Sequence, residues 1–91
     1  MRKYFIAQCR TRRGGVHEVY VLDISAAGLM VDKRTVKMGE GDRLLVKLPG
    51  LAYLPVSVLW VEDARAGLLF EEPLYGPVLE HLQQCFVVEG A

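Results

Sequence analysis

Val16-His17-Glu18-Val19-Tyr20-Val21-Leu22-Asp23-Ile24-Ser25-Ala26-Ala27-Gly28-Leu29-Met30-Val31 is the stretch that decides the fold. Its opening, Val16 to Leu22, alternates loosely and is rich in β-branched and aromatic residues, the mark of a strand. Asp23 to Gly28 interrupts that run with turn formers, and Leu29-Met30-Val31 resumes it as another strand. Asp23 and Ser25 can both turn their side chains onto nearby backbone N–H groups, as in Asx and Ser/Thr turns. Gly28 supplies a backbone shape that a residue with a Cβ would resist.

The same grammar repeats on either side. Upstream, Tyr4 to Arg13 reads as the first strand, closed by Gly14-Gly15, a dipeptide suited to a tight hairpin. Downstream, Gly39-Glu40-Gly41-Asp42 breaks the chain before a fourth strand, Arg43 to Leu48, and Pro49-Gly50 marks the next turn. Leu54 to Glu62 reads as the fifth strand, with Pro55 confined to its first positions or to an edge. Asp63-Ala64-Arg65-Ala66 turns into a sixth, Gly67 to Phe70. After Glu71-Glu72-Pro73 the period changes. Leu74, Tyr75, Val78, Leu79, Leu82, Cys85 and Phe86 recur at helical spacing, and Pro77 suits the first helical turn. The sequence therefore predicts an all-β, six-stranded antiparallel barrel over about residues 4–72 and one C-terminal α-helix over about 74–86. The helix is expected to cover one open end of the barrel, with Val87 to Ala91 fraying beyond it.

Ninety-one residues suit one domain, residues 1–91, around one core. An apolar content of 52% excludes disorder, yet no apolar run approaches the roughly 18 residues that cross a membrane. The basic start, Met1-Arg2-Lys3-Tyr4-Phe5, is followed by no continuous apolar stretch, so the expected location is cytoplasmic, without membrane insertion. Cys9 and Cys85 are then expected as free thiols. With His17 and His81 they show no ligand spacing, so no metal and no cofactor is expected. The sequence carries no nucleophile elbow, phosphate loop or zinc-protease helix. Glu71 and Glu72 point to opposite faces if extended, and no enzymatic activity is expected. Trp60 in an apolar strand reads as a core residue, Tyr20 as a cross-strand packing residue, and Lys33, Arg34 and Lys37 as a solvated loop.

The net charge is zero but unevenly spread: five basic and no acidic residues precede Gly14, and six basic face eleven acidic ones from there on. A cationic leading arm joined to an acidic body suits an anionic partner, or else pairs with the body's own carboxylates. Beside such an arm, the Asp23 carboxylate can accept two hydrogen bonds from a guanine edge while Ser25 reaches another edge atom or a phosphate. Arginines nearby would serve phosphate binding and stacking on purine faces. DNA or RNA is not expected as a partner, because no row of exposed aromatics is evident.

Asp23-x-Ser25-x-x-Gly28 resembles the [Asp/Asn]-x-Ser-x-x-Gly motif of PilZ domains, bacterial receptors for cyclic di-GMP. The Pro49-Gly50 turn, Val58-Leu59-Trp60 and the closing Gly67-Leu68-Leu69-Phe70-Glu71-Glu72-Pro73 are similar to the family's layout, so the resemblance spans roughly Arg2 to Leu82. It implies a PilZ-like split barrel with a C-terminal helix. It further implies that Asp23 and Ser25 contact guanine, that Gly28 shapes the turn, and that Arg2 with one of Arg10, Arg12 or Arg13 neutralises phosphate. The arm would order itself on binding and so relay the signal. The family's second motif, Arg-x-x-x-Arg before the first strand, is incomplete: Arg2 stands where the second arginine is expected, and the first has no counterpart. If Tyr4 to Arg13 is extended, Arg10 and Arg12 share one face and Arg13 takes the other. These three either substitute for the missing side chain or are exposed strand residues. Family members without ligand motifs act as adaptors in motility or pilus assembly, so docking onto a downstream protein partner is the alternative function.

Overall fold

Apolar residues at every second position fix which side of each strand faces inward. In the computed structural model, which describes residues 2–89 and the side chains of residues 3–87, these patterns become seven strands and a helix. They are β1 (Arg2–Arg10), β2 (Val16–Ile24), β3 (Gly28–Asp32), β4 (Arg43–Lys47), β5 (Tyr53–Glu62), β6 (Arg65–Phe70), α1 (Gly76–Gln83) and β7 (Val87–Glu89). All pairings are antiparallel, in the order β2-β3-β6-β5-β4-β1, and β1 pairs back onto β2. The ring is thus a closed six-stranded barrel, as the strand pattern predicts. Its inward residues, among them Phe5, Ala7, Cys9, Val19, Val21, Val31, Val46, Val56, Val58 and Leu68, form one buried core.

Two strands break the alternation. Val21 pairs with Val31 but Asp23 pairs with Met30, so Leu22 is an extra residue in β2. Likewise Val58 pairs with Leu68 and Trp60 with Gly67, leaving Leu59 extra in β5. Each bulge shifts the facing of every later residue by one. Without them, Asp23 and Trp60 would continue the inward series of Val19 and Val21, and of Val56 and Val58. With them, both side chains are carried to the outer wall, and the expectation of Trp60 as a core residue is corrected.

The two ends of the barrel are closed differently. Val36, buried in the loop between β3 and β4, joins the core from the end that holds the β1–β2 hairpin. At the other end α1 lies over the opening with Leu82 fully buried. The helix is shorter than the apolar stripe suggests. Leu74 is held to the barrel by its N–H to Ala26 O at 2.8 Å, and the helix begins only at Gly76-Pro77. Past Gln83 the β-branched Val87 and Val88 favour strand. Val87–Glu89 pairs with Arg2–Tyr4 as β7 instead of fraying, while Gly90 and Ala91 lie outside the described residues. Phe86 meets Phe5 edge-on at 4.8 Å between ring centres.

The leading segment also differs from expectation. It is no arm: from Arg2 it is strand, paired with β7 at Arg2–Tyr4 and with β2 from Phe5 onward, because its inward residues Phe5, Ala7 and Cys9 are part of the core. The strand stops at Arg10. Thr11 N–H bonds Gly15 O at 3.0 Å, and Gly14 N–H bonds Thr11 O at 2.9 Å with Gly14 at φ +85°. Arg12 and Arg13 therefore stand at a turn and share no extended face with Arg10.

Candidate functional site

The turn from β2 to β3 is built largely from its own side chains. Ser25 N–H donates to Gly28 O at 2.8 Å, and Gly28 N–H donates to Ser25 Oγ at 3.3 Å. Asp23 Oδ1 accepts the N–H of Ile24 at 2.9 Å, and the residue as a whole stays exposed. Gly28 is required for a reason other than turn geometry, since its φ is not among the positive ones. A Cβ there would run into the carbonyl oxygen of Leu68 on β6. The sequence motif thus marks a close approach of two strands.

Asp23, Ser25 and Gly28 come together with Met30 around an open groove of about 140 Å³. Register then extends the site across the outer wall. Asp23 pairs with Met30, Met30 with Gly67, and Gly67 with Trp60, so the four lie in one row across β2, β3, β6 and β5. Three strand spacings separate its ends, about 14 Å. Gly67 leaves room for the half-buried indole to lie against the wall. Met30, Trp60 and Arg65 line a second groove of about 250 Å³ that continues from the first through Met30. On the other side of Asp23, Lys3 joins Gln83 and Phe86 around a groove of about 450 Å³. One row along the wall, Tyr20 is stacked on Tyr4 at 4.7 Å and covered by the Arg34 guanidinium at 4.5 Å. Arg34, read from sequence as a loop cation, is held there with φ +54° and its N–H on Asp32 Oδ1 at 2.9 Å.

The site residues named from sequence are split by this geometry. Asp23, Ser25 and Gly28 form the corner. The backbone of Arg2 heads β1 beside it, next to Lys3, although the Arg2 side chain lies outside the described ones. Arg10 pairs with Val16, seven positions before Asp23 on β2 and so roughly 20 Å along the strand. Arg12 and Arg13 lie beyond Arg10 in the hairpin, so none of the three joins the corner. Trp60 is the residue that sequence reasoning misses, and its signal was Gly67: a glycine inside a strand often marks a close approach. Among the described residues no group of three or more His, Cys, Asp or Glu side chains is placed to hold a metal ion. Among those residues no helix is long and apolar enough to cross a membrane.

Comparison with known protein families and with curated proteins gives no match for this chain.

Proposed function

We propose that this barrel is a PilZ-type, cytoplasmic binding module for cyclic di-GMP, and that the ligand lies along the outer row from Asp23 to Trp60. The observation that carries the reading is the pair of bulges at Leu22 and Leu59, which turn a carboxylate and an indole out onto one wall. Asp23 and Ser25 receive a guanine edge, since a carboxylate accepts two parallel hydrogen bonds. Trp60 offers a flat apolar face for a purine, a contact worth about 1–3 kcal/mol per base. Lys3 and Arg65 line the grooves at either end of the row and take the phosphates. Because β1 is already paired, the ligand docks onto a formed surface and the relay passes through that surface rather than through an ordering arm.

A second reading, an adaptor that binds a partner protein and no nucleotide, is favoured by Leu59 and Leu69. They are 58% and 44% exposed; Leu59 directly precedes Trp60 on β5, and Leu69 lies two residues past Gly67 on β6. Calorimetry with cyclic di-GMP, together with the emission of Trp60, the single tryptophan, separates the two. Binding heat with quenching, both reduced at least tenfold in affinity by Asp23→Ala, is the expected result. Neither heat nor quenching at high micromolar protein would sink the nucleotide reading and leave the adaptor.

A further inference from the structure

The arginines that do not reach the corner gather elsewhere. Arg10 ends β1 and points outward beside Leu45, while Arg43 lies two residues from Leu45 on the same outer face of β4. The hairpin turn brings Arg12 over them. These three guanidinium groups, with the hydroxyl residues Thr11 and Ser57, line a groove of about 360 Å³. A wider groove of about 690 Å³ continues round the hairpin through Arg12 and Arg43 and adds Arg13, Lys37 and His17. Five permanent cations thus face two carboxylates, Asp42 and Glu71. Asp42 Oδ2 already accepts the N–H of Gly39 at 2.8 Å, and Glu71 reaches only Arg43, at 4.0 Å. Among the described residues, Arg10, Arg12, Arg13 and Lys37 have no ion-pair partner.

Exposed like charges that line the same grooves repel one another, and an anion placed among them relieves that repulsion while gaining charge-assisted hydrogen bonds. Guanidinium forks match phosphate oxygens two at a time. The groove is larger than a phosphate group needs, and its remaining wall is apolar, from Leu44, Leu45, Pro55 and Val56. That wall suits an organic body attached to the phosphate. Among the described residues no Phe, Tyr or Trp side chain lines either groove, which disfavours a stacked single strand of nucleic acid. We infer that the groove between the β1–β2 hairpin and β4 is a second binding site, for the phosphate groups of a small phosphorylated ligand. Its residues do not overlap those of the Asp23 corner, so it stands or falls independently of cyclic di-GMP binding there.

The test is a titration of the full chain followed by amide NMR, with inorganic pyrophosphate as the first probe and sodium chloride at equal ionic strength as control. Pyrophosphate should shift the amides of residues 11–15 and 43–45, and Arg12→Ala with Arg43→Ala should weaken that response at least tenfold. Asp23→Ala should leave it unchanged. ADP and glucose 6-phosphate distinguish the source of the phosphate, and tighter binding of either than of pyrophosphate supports the apolar wall as part of the site. Shifts reproduced by sodium chloride, or unaltered in the double variant, would overturn the proposal. So would a short single-stranded oligonucleotide that binds these residues more tightly than every small phosphate.

Discussion

The space that a Cβ would occupy at Gly67 is filled by the indole of Trp60, whose Nε1, Cε2 and Cδ1 are the nearest atoms. The two residues are register partners across β6 and β5, so the indole cannot withdraw without leaving the barrel wall. Gly67→Ala is therefore expected to displace Trp60. Overpacking of this kind costs about 1–3 kcal/mol. For a domain of this size that lowers Tm by roughly 4–8 °C per kcal/mol. Emission should shift to the red as the indole becomes more solvated, and Trp60→Ala in the same chain should recover part of the lost stability. An unchanged Tm and emission maximum would show that the indole is free to move.

At Gly28 the obstacle is backbone, the carbonyl of Leu68, and backbone in a paired strand has nowhere to go. Gly28→Ala should thus be costlier than Gly67→Ala, where a side chain can yield. It should also exceed Gly14→Ala, whose open hairpin position carries only the cost of a left-handed conformation, about 1–2 kcal/mol. Urea denaturation of the three variants checks the order. A Gly28→Ala protein as stable as Gly14→Ala would mean that the β3–β6 contact is looser than described.

Strand positions were legible because alternation and turn residues are local signals. Arg43-Leu44-Leu45-Val46-Lys47 reads correctly on pattern alone, and so does the Pro49-Gly50 turn. The bulges were not legible. Val58-Leu59-Trp60-Val61 carries nothing that says which apolar residue is extra, and that choice is made by pairing with β6, roughly 25 Å of chain further on. The Asp23-Ser25-Gly28 corner was readable because its side chains bond within the turn itself. The split of the arginines was not, because it depends on β1 ending at Arg10, where the hairpin takes over. Likewise β7 exists only because β1 offers an edge at Arg2–Tyr4.

Cys9 is fully buried, and burial pushes its thiol up from 9.0 to about 11. The folded protein therefore keeps a proton that the unfolded chain releases above pH 9. Stability from this source is complete below pH 9 and falls as pH rises toward 11, by about 2–3 kcal/mol at the end of that range. Denaturation midpoints measured from pH 8 to 11 should show the decline, and Cys9→Ala should flatten it while lowering stability at neutral pH. At pH 8 a bulky thiol reagent should leave Cys9 unmodified in the folded state. Rapid labelling of Cys9 under those conditions would contradict its place in the core.

Leu82 is the one α1 residue buried completely, at 0% exposure, and it closes the barrel end beside the candidate site. Val78 and Leu79 add only partly buried packing, and the His81 ring reaches Pro49 O at 3.1 Å. The helix spans eight residues, has no side-chain cap at its start, and contains a proline in its first turn. Isolated helices so short are not stable in water, so α1 depends on this docking. Leu82→Ala should cost about 2–5 kcal/mol. Amide exchange in α1 should then rise first and most, followed by Val87–Glu89, because β7 reaches β1 only through the helix. Gln83 and Phe86 line the groove shared with Lys3 and Asp23, so ligand affinity at the corner should drop along with helix protection. Loss of global stability with α1 exchange unchanged relative to the barrel would mean that the helix is anchored elsewhere, and that Leu82 serves the core alone.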